Sequence, residues 1–158
     1  MTTRAAVSRW PALVGGALGA LAVACAPTQS RPAVTAITVE AMDYAFQLPD
    51  TLRSGPTTFR LHNRGKVPHE MGMALLKAGV TMDQLLKHIG AGGDPDSLID
   101  GVVGILIASP GDSTVGALAV EMLSGRTYAL FCNFKDAPDK PEHVALGMFS
   151  GRTVTVGR

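Results

Sequence analysis

The sequence is short of charge, of aromatic residues and of catalytic motifs. Charged residues make up 17% of its 158 residues and aromatic residues 5%, and the formal net charge is +1. This balance provides no basic stripe for nucleic acid and no acidic face for a cationic partner. No nucleophile-and-base pattern or phosphate loop is visible, so we expect that the protein is not an enzyme. With 46% apolar residues, this length suits one compact domain and leaves no room for two.

The N-terminal segment predicts export. Arg4 and Arg9 precede an apolar stretch from Ala12 to Ala24. This stretch is about as long as the apolar region of a signal peptide and too short to span a bilayer as a helix. A buried helix of the folded domain is a poorer interpretation, because the stretch contains three glycines, which are weak helix formers. Residues 1–24 are therefore predicted to be a signal peptide.

The residues that end this stretch, Leu21-Ala-Val-Ala-Cys25, resemble a bacterial lipobox. A lipobox usually carries Leu three residues before the cysteine, where this chain has Ala22. The resemblance implies that Cys25 is lipidated, that residues 25–33 form the lipidated cysteine and a tether, and that the protein is anchored to a membrane in the periplasm or another extracytoplasmic space. Ordinary cleavage after Ala24 and a retained anchor are the alternatives.

The sequence has two cysteines, so lipidation of Cys25 leaves Cys132 without a partner for an internal disulfide. A lone thiol in an oxidising compartment is a liability unless it is buried or held as a metal thiolate. Cys132 is therefore a candidate metal ligand, and a small buried hydrophobic residue is the alternative.

Short β-branched segments separated by turns predict a β-sandwich. The predicted strands lie at residues 33–40, 44–46, 57–62, 69–76, 113–122, 126–131 and 152–156. The apolar run Val102–Ala108 predicts either a buried strand or a hydrophobic surface patch. One helix interrupts this pattern: Thr81 and Gln84 form a capping box, and Gly90 can end the helix. Apolar residues follow at helical spacing, and they are Met82, Leu85, Leu86 and Ile89.

Residue types that bind copper occur in two segments, a histidine in the first and a cysteine, a histidine and a methionine in the second. His69 follows Asn63-Arg-Gly-Lys-Val-Pro68, and the strand Tyr128-Ala-Leu-Phe-Cys132 is followed by His143-Val-Ala-Leu-Gly-Met148. Copper that shuttles one electron favours a thiolate, two imidazoles and a weak axial thioether, because this mixed set serves both Cu(I) and Cu(II).

These segments resemble the cupredoxin superfamily of plastocyanin- and azurin-like blue copper proteins, in its exported bacterial lipoprotein form. The resemblance covers roughly residues 34–156 and implies a cupredoxin-like domain over residues 34–158, an all-β Greek-key sandwich of about six to eight strands. It further implies one type 1-like copper ion, with His69, Cys132 and His143 in its plane and Met148 as the axial contact. The implied function is that of a one-electron carrier in the bacterial cell envelope.

The resemblance also implies how electrons leave the site. They would pass through the rim around an exposed histidine to a redox partner protein of the envelope, which docks on a surrounding apolar patch. Candidates for this patch are Leu146, Phe149 and part of Val102–Ala108.

The chain departs from the superfamily in the spacing between the cysteine and the second histidine. Ten residues, Asn133–Glu142, separate Cys132 from His143, where electron-transfer cupredoxins usually have a few. Residues 136–141 could form a hairpin tip that returns His143 to the metal. A less strained copper site, a binding site without a redox role and an empty relic are the alternatives.

Two other functions fit the residues. His69-Glu-Met71-Gly-Met73 has soft ligands for Cu(I), so a Cu(I)-binding or delivery module without electron transfer is one alternative. A metal-free cupredoxin-like domain that binds a partner through Val102–Ala108 is another.

The alternative role of Met148 is that of an ordinary core residue without contact to a metal. His62 and His88 are predicted to have no part in the site.

Overall fold

The computed structural model describes residues 33–157. The predicted signal peptide, the predicted lipidation site Cys25 and the tether up to residue 32 lie outside these residues. The described part of the chain contains nine strands, one α-helix and two short 3₁₀ helices. The strands are β1 (Thr35–Met42), β2 (Ala45–Gln47), β3 (Leu52–Arg53), β4 (Gly55–Asn63), β5 (His69–Leu76), β6 (Ile99–Ala108), β7 (Leu118–Met122), β8 (Thr127–Phe131) and β9 (Phe149–Thr155). The helix α1 spans Met82–Gly90, and the 3₁₀ helices span Pro95–Leu98 and His143–Leu146.

The strands form two mixed sheets. The first sheet has the order β2-β1-β4-β7, and its central pair, β1 and β4, is parallel. The second has the order β3-β9-β8-β5-β6, in which β8 pairs antiparallel with both β5 and β9. The predicted all-β sandwich with one short helix is therefore confirmed. Two of the nine strands, β2 and β3, have only three and two residues, so the count lies close to the predicted six to eight.

The core lies between the two sheets. In β4 the side chains of Thr57, Phe59, Leu61 and Asn63 are buried at every second position, as expected for a strand with one face inward. The first sheet also buries Val39 and Ala41. The second sheet contributes the fully buried core residues Met71, Met73 and Leu130. Each large apolar side chain removed from water stabilises the fold by about 1.5–3 kcal/mol.

The helix α1 forms where the capping box predicts it. The backbone amide of Gln84 donates to Oγ1 of Thr81 (3.3 Å), and the amide of Thr81 donates to Oε1 of Gln84 (2.8 Å). Leu85 is buried and packs in a small cluster with Leu76 of β5 and Ala129 of β8, so the helix covers the outer face of the second sheet. Ile89, which was predicted to lie on the apolar face, is 43% exposed.

The apolar run Val102–Ala108 belongs to β6, the edge strand of the second sheet. The run is a strand, as the first interpretation predicted, and most of its large side chains are exposed, as the surface patch predicted. Ala108 is buried, whereas Val102, Ile105 and Ile107 are each more than half exposed. Among the described residues, no helix is both long enough and apolar enough to cross a membrane.

Candidate metal centre

A folded loop places His69 at the start of β5. The loop runs from Asn63 to Pro68 and is organised around the side chain of Asn63, which is completely buried. Nδ2 of Asn63 donates to the carbonyls of Val67 (2.8 Å) and Ala108 (3.0 Å), and its Oδ1 accepts from the amide of Gly65 (2.8 Å). One side chain therefore ties the end of β4 to the loop and to β6. Because both the nitrogen and the oxygen of this buried amide have hydrogen-bond partners, the loop has one well-defined conformation.

The long loop after Cys132 is closed by backbone hydrogen bonds at its base. The amide of His143 donates to the carbonyl of Phe134 (2.8 Å), and the amide of Val144 donates to the carbonyl of Cys132 (2.7 Å). These bonds bring His143 back beside Cys132, so the ten residues between them do not separate the two side chains. The chain then makes a 3₁₀ turn and passes through Gly147, whose φ of 102° lies in the left-handed region that favours glycine.

The same turn returns Met148 to Cys132. The amide of Met148 donates to the carbonyl of His143 (2.9 Å), and the amide of Cys132 donates to the carbonyl of Met148 (3.2 Å). Met148 is completely buried and belongs to the same core cluster as Cys132. Its assignment as the axial ligand remains a prediction.

The three side chains converge on one point. Nδ1 of His69 and Nδ1 of His143 are 3.2 Å apart, and Sγ of Cys132 lies 3.4 Å from Nδ1 of His143 and 4.0 Å from Nδ1 of His69. The three side chains are at most 1% exposed. Within residues 33–157, they form the one group of three or more histidine, cysteine or acidic side chains whose ligand atoms could hold a metal ion.

Carboxylates occupy the far side of both imidazoles. Nε2 of His69 lies 3.2 Å from Oδ1 of Asp43, and Nε2 of His143 lies 3.0 Å from Oδ1 of Asp136. An ionised carboxylate only accepts hydrogen bonds, so each Nε2 must be the protonated nitrogen. In the neutral rings, the lone pair then lies on Nδ1, which faces the cysteine.

This arrangement fits a cation. Two imidazole lone pairs and one sulfur face each other in a buried space, and the thiol proton is the only proton available among these three atoms. A thiolate and two imidazoles are ligands that suit copper, and also zinc. The amide of Glu70 donates to the sulfur (3.4 Å) and supports a negative charge there. The donor set therefore fits the predicted copper ion.

Burial and hydrogen bonding shift the pKa values around this cluster. Burial raises the pKa of the Cys132 thiol above its usual value, against the lowering effect of the amides of Glu70 and Phe134. Burial lowers the pKa of His69, and the hydrogen bond to Asp43 opposes this effect. A hydrogen bond from the amide of Lys66 holds the pKa of Asp43 below its usual range.

The second histidine is not exposed, which corrects the expectation of an electron route through an exposed imidazole rim. His143 is 1% exposed, because the long loop folds back and lays Asp136 against its outer nitrogen. The ring of Tyr44 also covers it, at a centroid distance of 5.0 Å and an interplanar angle of 67°. The hydroxyl of Tyr44 donates to Oδ2 of Asp136 (2.5 Å). This bond lowers the pKa of Asp136 and raises that of Tyr44.

The other residues discussed in the sequence analysis have surroundings of their own, and Met71 and Met73 share a core cluster with Cys132. Met71 and Met73 are completely buried in the core. His62 contacts Oγ of Ser113 (2.9 Å), and His88 contacts Oγ of Ser97 (3.0 Å). Leu146 is 44% exposed beside the site.

Sequence reasoning missed Asp43, Tyr44 and Asp136. Asp136 lies in the unusually long loop, and that length was its one signal. Asp43 and Tyr44 form the turn between β1 and β2, far from the ligands in sequence, and no pattern marks them.

No protein-family model and no curated protein matches the sequence. Among solved structures, the chain is similar to a dithionite-reduced auracyanin from Roseiflexus castenholzii. The identity is 18%, the match covers 78% of this chain and 98% of that chain, and the TM-score is 0.47. Auracyanin B is 18% identical over 81% of this chain and 91% of its own, with a TM-score of 0.49. Auracyanin A from Chloroflexus aurantiacus, described as a blue copper protein, is 16% identical over 79% of this chain and 100% of its own, with a TM-score of 0.45.

The two-sheet sandwich and the convergence of His69, Cys132 and His143 at one end of it match the fold and three of the four ligands that the resemblance implied.

Proposed function

We propose that the protein binds one copper ion through His69, Cys132 and His143, with Met148 as a weak axial ligand, and acts as a one-electron carrier. The observation that carries the proposal is the convergence of two imidazole Nδ1 atoms and a thiol sulfur within 4.8 Å of one another in a buried space. Copper bound there would supply a couple that accepts and returns one electron.

The position of Met148 favours copper over zinc. Its backbone is hydrogen-bonded to both Cys132 and His143, so its side chain begins beside the two ligands. A thioether is a soft ligand that stabilises Cu(I), whereas structural zinc sites are usually completed by cysteine or histidine.

The surroundings suit electron transfer because they hold the ligands rigidly and exclude water. His69 begins a strand, and Cys132 and His143 are joined by backbone hydrogen bonds at the base of one loop. Rigid ligands require little rearrangement when the oxidation state changes. Tyr44 and Asp136, which contact His143, are partly exposed and form a short path from the site to the surface. The exposed Leu146 is a candidate contact for the partner protein.

The location proposed for this activity rests on the N-terminal sequence. The predicted signal peptide and lipidation at Cys25 would anchor the domain to the membrane outside the cytoplasm. A redox partner protein in the cell envelope would then reach the carrier by diffusion along the membrane.

The visible absorption spectrum of the copper-loaded protein tests the proposal. The full-length chain is purified in detergent with Cys25→Ser, which leaves Cys132 as its only thiol. Addition of Cu(II) should produce an intense thiolate-to-copper charge-transfer band, and reduction by one electron should bleach it reversibly. Cys132→Ser should remove the band, and Met71→Leu, which replaces a core methionine by a residue of similar volume, should retain it. A colourless protein whose Cys132→Ser variant binds copper equally well would refute the proposal.

A Cu(I)-binding or delivery module is the second candidate, and the covered His143 favours it. Without an exposed imidazole edge, electron exchange with a partner would be slower than in an open site. If this function is the correct one, replacing Met71 and Met73 with Leu should weaken Cu(I) binding while Met148→Leu does little. If the carrier function is correct, only Met148→Leu should change the copper site.

A further inference from the structure

Both histidines of the candidate site are held by one short turn. Asp43 and Tyr44 follow each other between β1 and β2. Asp43 accepts a hydrogen bond from Nε2 of His69, and Tyr44 donates to Asp136, which accepts from Nε2 of His143. The turn therefore reaches one ring directly and the other through a single intermediate residue.

The backbone of Tyr44 makes this double contact possible. Successive side chains of an extended strand point to opposite faces, so neighbours would not normally contact the same site. Tyr44 has a φ of 67°, in the left-handed region that non-glycine residues rarely adopt. This conformation breaks the alternation, and both side chains meet imidazoles whose Nδ1 atoms are only 3.2 Å apart. Strained residues of this kind often mark functional positions.

Asp43 is fixed by its own contacts. The amide of Lys66 donates to Oδ1 of Asp43 (2.8 Å), the same oxygen that faces His69. Gly65 leaves the space in which these groups meet, since a Cβ atom there would lie 2.3 Å from Oδ1 of Asp43 and 2.7 Å from Nε2 of His69. The carboxylate is thus anchored to the loop that carries the histidine.

We propose that the turn formed by Asp43 and Tyr44 is a positioning element for the copper site, which sets the orientation and the donor strength of both imidazoles. Tyr44 acts on His143 through Asp136, and bringing Asp136 into place is the role of the long loop. This inference rests on the proposed copper site. A carboxylate that accepts from the outer nitrogen fixes the tautomer and makes the inner nitrogen a stronger ligand.

A purely structural role for Tyr44 and Asp136 predicts a change in stability and no change in the copper site. If their hydrogen bond only closes the loop, its loss should lower stability and leave the copper site unchanged. A positioning role should alter the copper affinity and the reduction potential. Stronger imidazole ligands favour Cu(II) over Cu(I), so weakening them should raise the potential.

The test compares two variants with two matched controls, all in the full-length Cys25→Ser chain. Asp136→Asn removes the charge that faces His143, and Tyr44→Phe removes the hydroxyl while keeping the ring. Asp139→Asn removes an exposed acid from the same loop, and Tyr128→Phe removes a hydroxyl that contacts Leu123 and Glu121 away from the site. Cu(II) affinity, the visible and electron paramagnetic resonance spectra and the reduction potential are measured for each.

We expect Asp136→Asn to weaken Cu(II) binding by about tenfold or more. Tyr44→Phe should act in the same direction by a smaller factor, both variants should raise the reduction potential, and both controls should match the parent protein. If Asp136→Asn and Tyr44→Phe keep the affinity and potential of the parent protein while its charge-transfer band is present, this inference is wrong and the proposed function stands. If the parent protein lacks the band, the proposed function fails, and this inference with it.

A copper-free measurement keeps the inference testable even if a variant does not fold. Nitrogen-15 NMR of the metal-free parent protein reports which nitrogen of each imidazole carries the proton. We expect the rings of His69 and His143 to be protonated at Nε2, toward Asp43 and Asp136. A proton on Nδ1 of either ring, with Nε2 bare, would overturn the positioning role.

Discussion

At the scale of single residues, Cys132 is the group whose chemistry would change most if the site binds a metal as proposed. Burial raises the pKa of its thiol, so the metal-free protein carries the protonated form at neutral pH. The thiolate is the form that binds metal ions. Metal binding must therefore displace a proton from a buried group.

Copper binding is expected to release about one proton from Cys132 at neutral pH. Because the proton competes with the metal below the thiol pKa, the apparent copper affinity should rise with pH, by about tenfold per unit for one proton. Isothermal titration calorimetry in buffers of different ionisation enthalpy measures this release. The Cys132→Ser variant should bind copper more weakly and without this proton. Binding that releases no proton in the parent protein would mean that the thiol is not a ligand.

The cluster of candidate ligands could be predicted from the sequence, and the residues that contact their outer nitrogens could not. Cys132, His143 and Met148 lie within one short stretch in a recognisable order, and the structure brings Cys132 and His143 together with His69. Asp43 contacts His69 across 26 positions of sequence, and it looks like any other aspartate in a turn. Its contact with His69 is tertiary, and sequence spacing does not reveal such a contact. The burial of His143 was missed for the same reason.

At the scale of elements, α1 packs on the second sheet through a cluster that contains none of the candidate ligands. Its buried residue Leu85 packs on Leu76 and Ala129, on the outer face of the second sheet. The helix begins with a complete capping box, which was visible in the sequence because it is purely local.

Thr81→Ala should lower the free energy of unfolding by about 1 kcal/mol, because the amide of Gln84 loses its acceptor. The copper spectrum should not change, since the buried residue of the helix, Leu85, packs on Leu76 and Ala129 and not on a candidate ligand. Chemical denaturation of the metal-free protein measures the first effect and absorption of the loaded protein the second. Thr81→Ser keeps the hydroxyl and is the control. An altered spectrum in Thr81→Ala would show that the helix and the site are coupled.

Strands could be predicted where their pattern is local and were missed where pairing is remote. The prediction of residues 69–76 matches β5, and that of residues 126–131 matches β8 to within one residue. The two-residue β3 was not predicted, because it exists only through its pairing of Leu52 and Arg53 with β9, about a hundred residues later. The strand predicted at residues 113–122 begins only at Leu118. Before it, Ser113 makes only an isolated antiparallel bridge with His62 of β4, and the amide of Thr114 donates to the carbonyl of Leu61 (2.9 Å).

At the scale of the whole molecule, the two sheets supply different parts of the site. His69, Cys132 and His143 come from β5 and from the loop between β8 and β9, all in the second sheet. The first sheet supplies Asn63 at the end of β4 and the turn after β1 that carries Asp43. The site therefore joins the two layers of the sandwich at one end.

Copper should stabilise the whole fold because its ligands are assembled only in the folded state. Free copper at one hundred times its dissociation constant should add about 2.7 kcal/mol to the free energy of unfolding. Differential scanning calorimetry with and without copper measures the change as a higher Tm. An equal increase in the Cys132→Ser variant would point to copper binding elsewhere.

X-ray absorption at the copper edge tests the central claim most directly, because it reports the atoms bound to the metal. For the full-length Cys25→Ser chain loaded with one equivalent of copper, we predict one short copper–sulfur distance and two imidazole nitrogens. The Cys132→Ser variant should lose the short sulfur contact. A spectrum with nitrogen and oxygen neighbours alone, unchanged by Cys132→Ser, would contradict the account.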